Sequence, residues 1–167
     1  KVLRGLFKLY LRNIQYKGER LDSMNNKLHQ VNDFILKQKE NLTIKNISMR
    51  QPVYLLGPWH FAPDKGEQKW YRIKVPSFWN TPEQFDHEEN WKEIHEAWYG
   101  YTVYIEDGVL DNQEFFLCFE GVSLLCDVYL NGKLAGSHAG CFTPFEFNIS
   151  QYLVRGKNAI VLYVKDL

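Results

Sequence analysis

Cys126-Asp127-Val128-Tyr129-Leu130-Asn131-Gly132-Lys133-Leu134 reads as a strand, a two-residue turn and the start of a second strand. Asn-Gly between two apolar runs predicts a type I′ β-hairpin, because both central residues of that turn need positive φ. On either side the same period of two recurs. Tyr101–Ile105, Glu114–Phe119, Phe145–Ile149 and Ala159–Val164 are short β-branched or aromatic runs bounded by turn residues, among them the Arg155-Gly156-Lys157-Asn158 turn. Further strands are expected at Val53–Leu56, His60–Ala62 and Arg72–Val75. About eight short strands suit a mainly β, antiparallel β-sandwich of jelly-roll type. A parallel α/β sheet would alternate strands with helical crossovers, and the only helical candidate in this body is Glu88–Trp98.

The first 50 residues differ in kind. They carry a net charge of +7, no Pro and four aromatics, against −7, all six Pro and 22 aromatics in residues 51–167. A boundary is expected within 41–50, giving a basic helical segment over 1–46 and the sandwich over 47–167. Leu3, Leu6, Phe7, Tyr10 and Ile14 fall on one helical face. Leu21, Met24, Leu28, Val31 and Ile35 form a second stripe, for which Asp22 or Ser23 could cap the helix. The stripes are read as helices packing on the following domain or on a neighbour; self-association through residues 21–35 is the competing idea. Neither nucleic acid nor membrane is expected as a partner, since the basic residues are scattered and no recognition motif accompanies them.

The chain is too short for a (β/α)₈ barrel of about 250 residues. It carries no nucleophile elbow, zinc-protease motif or phosphate loop. The acidic run Glu83, Asp86, Glu88, Glu89, Glu93, Glu96 is interleaved with Trp91, Ile94 and Trp98 at helical spacing and reads as a solvated helix face. Cys118, Cys126 and Cys141 lack metal-ligand spacing and read as packing residues, with a Cys118–Cys126 bridge as the alternative. No metal or cofactor is expected. Trp59, Trp79 and Trp98 are assigned to the core, and one of them could instead be an exposed stacking platform. His138, within its Gly-rich turn, is expected to hydrogen-bond nearby backbone.

Six blocks in register over residues 53–166 resemble the N-terminal sugar-binding domain of family 2 glycoside hydrolases, the β-galactosidases, β-glucuronidases and β-mannosidases. They are Leu56-Gly57-Pro58-Trp59-His60-Phe61 with Asp64, Ile73–Trp79 with Ala97-Trp98-Tyr99, Leu117–Val122, Val128–Lys133, Gly136–Phe147, and Gly156-Lys157-Asn158 with Val161–Val164. The resemblance implies a galactose-binding-like jelly roll and a non-catalytic accessory role. The two catalytic glutamates of a retaining glycosidase, needed about 5–5.5 Å apart, would lie in a downstream barrel, the expected partner. It also implies loops lent to a substrate pocket. The carbohydrate-contact candidates are Asp166 after the last strand, Asn80 in the long loop, Trp98, Tyr99 and His138. Gly100 departs from the family by offering no side chain where some members make a contact. An initial Lys in place of Met, and a final strand ending within a few residues of the last position, suggest a piece of a longer protein. An autonomous lectin-like module, or a protein-interaction sandwich, is the alternative function.

Overall fold

A computed structural model describes residues 18–45, 52–65, 68–76, 94–111 and 113–166. Its elements in chain order are helix α1 (Gly18–Lys37), β1 (Leu42–Ile44), β2 (Pro58–Pro63), β3 (Tyr71–Lys74), β4 (Glu96–Ile105), β5 (Phe116–Phe119), β6 (Leu125–Leu130), β7 (Lys133–Ala139), β8 (Phe145–Asn148), a 3₁₀ turn (Ser150–Tyr152) and β9 (Gly156–Lys165). The larger sheet runs β3-β2-β4-β9-β6-β7, and β5-β8 form a second, two-stranded sheet. These pairs are antiparallel. One exception is β1, which joins the second half of β4 in parallel, Leu42 opposite Val103.

Alternation along the central strands produces three layers. Tyr101, Val103, Ile105, Val128, Leu130, Ile160, Leu162 and Val164 face β5-β8 and enclose the main core with Trp59, Phe61, Ile73 and Leu117. Their neighbours Trp98, Tyr129, Ala159, Val161 and Tyr163 face the other way and are covered by Leu28, Val31 and Ile35 of α1. Each of these three helix side chains is nearly or fully buried, a contribution of roughly 1.5–3 kcal/mol apiece. The stripe that could have paired with a second helix is therefore occupied by the sheet.

The close approach of α1 depends on a glycine. A Cβ built on Gly100 would lie 2.1 Å from Cδ1 of Ile35, so Ile35 fills the notch that the missing side chain leaves. The end of the helix is then secured by two donors from the sheet and one from Gln38 just beyond it. Thr102 Oγ1 donates to the Ile35 carbonyl at 2.9 Å, Lys157 Nζ to that of Gln38 at 2.8 Å, and Gln38 Nε2 to that of Phe34 at 3.0 Å. These satisfy carbonyls that a helix C-terminus otherwise leaves without partners. Lys27 of α1 pairs with Asp64, and the Tyr163 hydroxyl, with one proton to donate, lies within hydrogen-bond reach of both the Asp64 and Glu96 carboxylates, the latter also held by Lys165 at 2.9 Å.

The expected hairpin is present: Asn131 and Gly132 have φ of 51° and 77°. Several expectations need correction. Val53–Leu56 is irregular, because the Leu55 and Leu56 carbonyls accept from the side chains Trp59 Nε1 and Tyr101 Oη instead of a ladder. Helix α1 begins at Gly18, which places Asp22 and Ser23 inside it rather than at a cap. Glu96, Ala97 and Trp98 belong to β4, where pairing with Lys165, Val164 and Tyr163 outweighs the helical spacing. Ile94 and His95, just before that strand, are not helical either, and Ile94 is buried in the main core; residues 88–93, the 2–14 stripe, Trp79 and Asn80 lie outside the described residues. All three cysteines are free; Cys126 is buried, as a packing residue should be, while Cys118 is exposed.

Candidate functional site

Of the five residues singled out from sequence, Asn80 lies outside the described residues, and the other four do not converge. Trp98 and Tyr99 are neighbours in β4 and so point to opposite faces of the sheet. Trp98 has no exposed surface and packs on Tyr163 at 4.4 Å between ring centres. Its indole Nε1 has no hydrogen-bond partner among the described residues. Tyr99 lies edge-on to Phe61 at 5.1 Å, and burial drives its hydroxyl pKa far up, which leaves it a neutral donor. His138 on β7 stacks on Phe145 at 3.9 Å and meets Thr143 Oγ1 at 3.2 Å, a side chain where backbone was expected. Desolvation lowers its pKa. Asp166 follows β9, and its amide donates to the His95 carbonyl at 2.7 Å.

A concave feature lies elsewhere, between the C-terminal end of α1 and the β2–β3 hairpin. This groove of about 430 Å³ is lined by Lys39, Asn41, Gly57, Pro58, His60 and Arg72, among others. It is built by register: His60 of β2 stands directly opposite Arg72 of β3. Trp70 and Phe34 stack at 4.3 Å, and Phe34 meets the His60 ring edge-on at 5.6 Å, which fixes the imidazole. Arg72 Nη1 then donates to His60 Nε2. Burial, and secondly the Arg72 charge, lower the His60 pKa to about 4, so the ring is a neutral acceptor at neutral pH. Gly57, at φ 100°, leaves the wall open where a Cβ would otherwise stand. Asn41 closes the floor, donating to the Pro58 carbonyl at 3.1 Å and accepting from the Thr102 amide at 3.0 Å. Sequence reasoning saw His60 and Arg72 only as strand residues, because nothing but the pairing register brings them together.

Apolar surface is also exposed at two places, just before β2 and on the β7–β8 connection. Tyr54 and Leu56 are 67% and 69% exposed, and Phe142, at φ 61° on the β7–β8 connection, is 83% exposed. Among the described residues no group of three His, Cys, Asp or Glu side chains could hold a metal ion.

A family model described as "Glycosyl hydrolases family 2, sugar binding domain" matches residues 54–167. The chain is 31% identical over 100 residues to a putative beta-glucuronidase of Formosa agariphila, covering 60% of this chain and 12% of that protein. It is 32% identical over 104 residues to a beta-galactosidase of Thermoanaerobacter pseudethanolicus, covering 60% of this chain and 14% of that one. Among solved structures it resembles the Bifidobacterium dentium beta-glucuronidase complexed with coumarin-3-O-glucuronide, with TM-score 0.59, 28% identity, and coverage of 66% of this chain and 19% of that chain. The matched region is thus a small fraction of each relative's length.

Proposed function

The chain belongs to the sugar-binding domains of glycosyl hydrolase family 2, and from that premise we propose that it is a non-catalytic accessory domain of a longer β-glycosidase. In this reading the bond-cleaving carboxyl groups lie in a downstream barrel against which the sandwich packs, and helix α1 serves to cover the sandwich's second face. The exposed Tyr54 and Leu56 are candidates for the barrel-facing surface.

The observation that carries the non-catalytic part is the state of Asp64 and Glu96. Both hydrogen-bond to the Tyr163 hydroxyl, close enough to suggest a hydrolytic pair. A retaining glycosidase, however, keeps one carboxyl protonated by an apolar pocket or a like charge. Here Asp64 has Lys27 and Glu96 has Lys165, and the helix that supplies Lys27 lies over this face of the sheet. The arrangement is a structural ion-pair network.

The test compares this chain with its full-length parent on nitrophenyl β-glucuronide and β-galactoside. The parent should release nitrophenol from at least one substrate and the 167-residue chain from neither. Turnover by the chain alone, abolished by Glu96→Gln, would overturn the proposal.

A further inference from the structure

The groove between α1 and the β2–β3 hairpin contains a guanidinium with no acidic partner among the described residues. Arg72 is exposed, and its one hydrogen-bond partner among the described residues is the Nε2 of His60. A guanidinium carries five N–H donors in a planar fork, so most of them remain for a ligand. Lys39, on the opposite wall, has no ion pair among the described residues. The one acid in the lining, Glu40, is 3.8 Å from Lys157. Against these cations stands the negative end of the α1 dipole. That end is blunted, since the carbonyls of Phe34, Ile35 and Gln38 each receive a donor. The balance at the groove therefore favours an anion.

We propose that this groove is a binding site for a carboxylate-bearing saccharide of one or two rings, with Arg72 gripping the carboxylate through its fork and His60 acting as the positioning residue that aims it. Guanidinium and carboxylate match in planar, two-pronged geometry, which a lysine cannot reproduce. The volume of about 430 Å³ lies within the range of small-ligand sites. Asn41, the open backbone at Gly57 and the Pro58 carbonyl line the groove beside Arg72 and offer polar contacts for ring hydroxyls. His60 and Trp70 contribute a rigid aromatic backing, so the guanidinium meets its ligand already oriented. The proposal stands on this chain's own residues and does not depend on the accessory-domain reading.

The experiment is a titration of the isotope-labelled 167-residue chain, followed by nuclear magnetic resonance, with sodium D-glucuronate, D-glucose and sodium acetate at matched ionic strength. Glucuronate should move the Arg72 side-chain signal and the amides of residues 57–60 with a millimolar Kd, and glucose should be at least about tenfold weaker. Acetate should move the same signals at higher concentration, which separates the carboxylate's share from the ring's. Arg72→Gln should lose at least about tenfold in affinity and Arg72→Lys should fall between, while Lys133→Gln, at the far edge of the sheet, binds as the wild type does. Equal shifts with glucose and glucuronate, or unchanged binding by a folded R72Q, would sink the proposal. Acetate as tight as glucuronate would overturn the saccharide part. Absence of binding here would leave the hydrolysis comparison untouched, and the reverse also holds.

Discussion

Asn158 has no exposed surface, yet its amide is fully bonded. Oδ1 accepts from the Val154 amide at 2.8 Å and from Asn131 Nδ2 at 2.9 Å, and Nδ2 donates to the carbonyls of Val154 at 2.7 Å and Gly156 at 3.0 Å. Asn131 does two things at once: it takes the left-handed backbone of the hairpin turn, and its Oδ1 accepts from the Ala159 amide at 2.9 Å. Buried polar groups of this kind cost most when only one partner is removed. Asn158→Ala should lower unfolding free energy by about 2–4 kcal/mol, read as a shift in the urea midpoint at constant slope. Asn158→Asp should be comparably harmful, because it turns two donors into acceptors facing carbonyls. A loss under about 1 kcal/mol for both would mean that the network is not structural. The turn role of Asn131 was legible from the Asn-Gly pair. The role of Asn158 was not, since a polar residue beside Gly156 and Lys157 reads as surface turn until its burial is known.

Helix α1 makes one contact with the sheet that the sequence disguises. Gly100 reads as the loss of a functional side chain; the structure shows that it is the seat for Ile35. Apolar periodicity predicted the helix and its buried stripe, but no one-dimensional pattern tells which glycine a helix will lie against. Gly100→Val should push α1 off the sheet, since Cβ alone would stand 2.1 Å from Ile35 Cδ1. Amide hydrogen exchange over residues 24–36 should accelerate by more than tenfold, while β5 and β8, on the other face, keep their protection. If the variant retains wild-type exchange along α1, the notch is unimportant. Val53–Leu56 failed as a strand for a related reason: its pattern is extended and apolar, but its carbonyls are taken by the side chains of Trp59 and Tyr101.

For the whole molecule, stability should depend on pH through His60. Its folded pKa of about 4 lies below the ordinary 6.5 because burial, and then Arg72, oppose the imidazolium. Between those values the unfolded chain binds a proton that the folded chain refuses, so stability falls as pH drops from 6.5 toward 4. The difference between 6.5 and about 4 bounds the loss at about 3.4 kcal/mol, and solvent screening of the ring makes it smaller. Asp127 contributes in the opposite sense. Burial raises its pKa, despite the Ser137 hydroxyl at 2.5 Å, so its cost is relieved on acidification. The measurement is therefore a difference: urea midpoints of wild type and His60→Gln at pH 7 and pH 4.5 should converge at the lower pH. Parallel curves would remove His60 as the cause. The sandwich, its antiparallel pairing and the burial of Trp59 and Trp98 were all foreseeable from strand alternation and aromatic content. The groove was not, because it depends on a β2–β3 register and on where α1 ends.

The direction in which α1 crosses the sheet has a mechanical consequence. Lys27 sits at the Asp64–Glu96 end, where β9 finishes at Lys165, and Gln38 at the Lys157 end, where β9 starts. Helix and final strand therefore run in opposite senses, and the chain enters α1 and leaves β9 at the same end of the sheet. Tension applied between Gly18 and Asp166 would load one corner of the molecule and peel its contacts in sequence, α1 first, rather than straining a whole ladder in shear. A sandwich pulled in this way yields at low force, while the β5-β8 side remains unloaded.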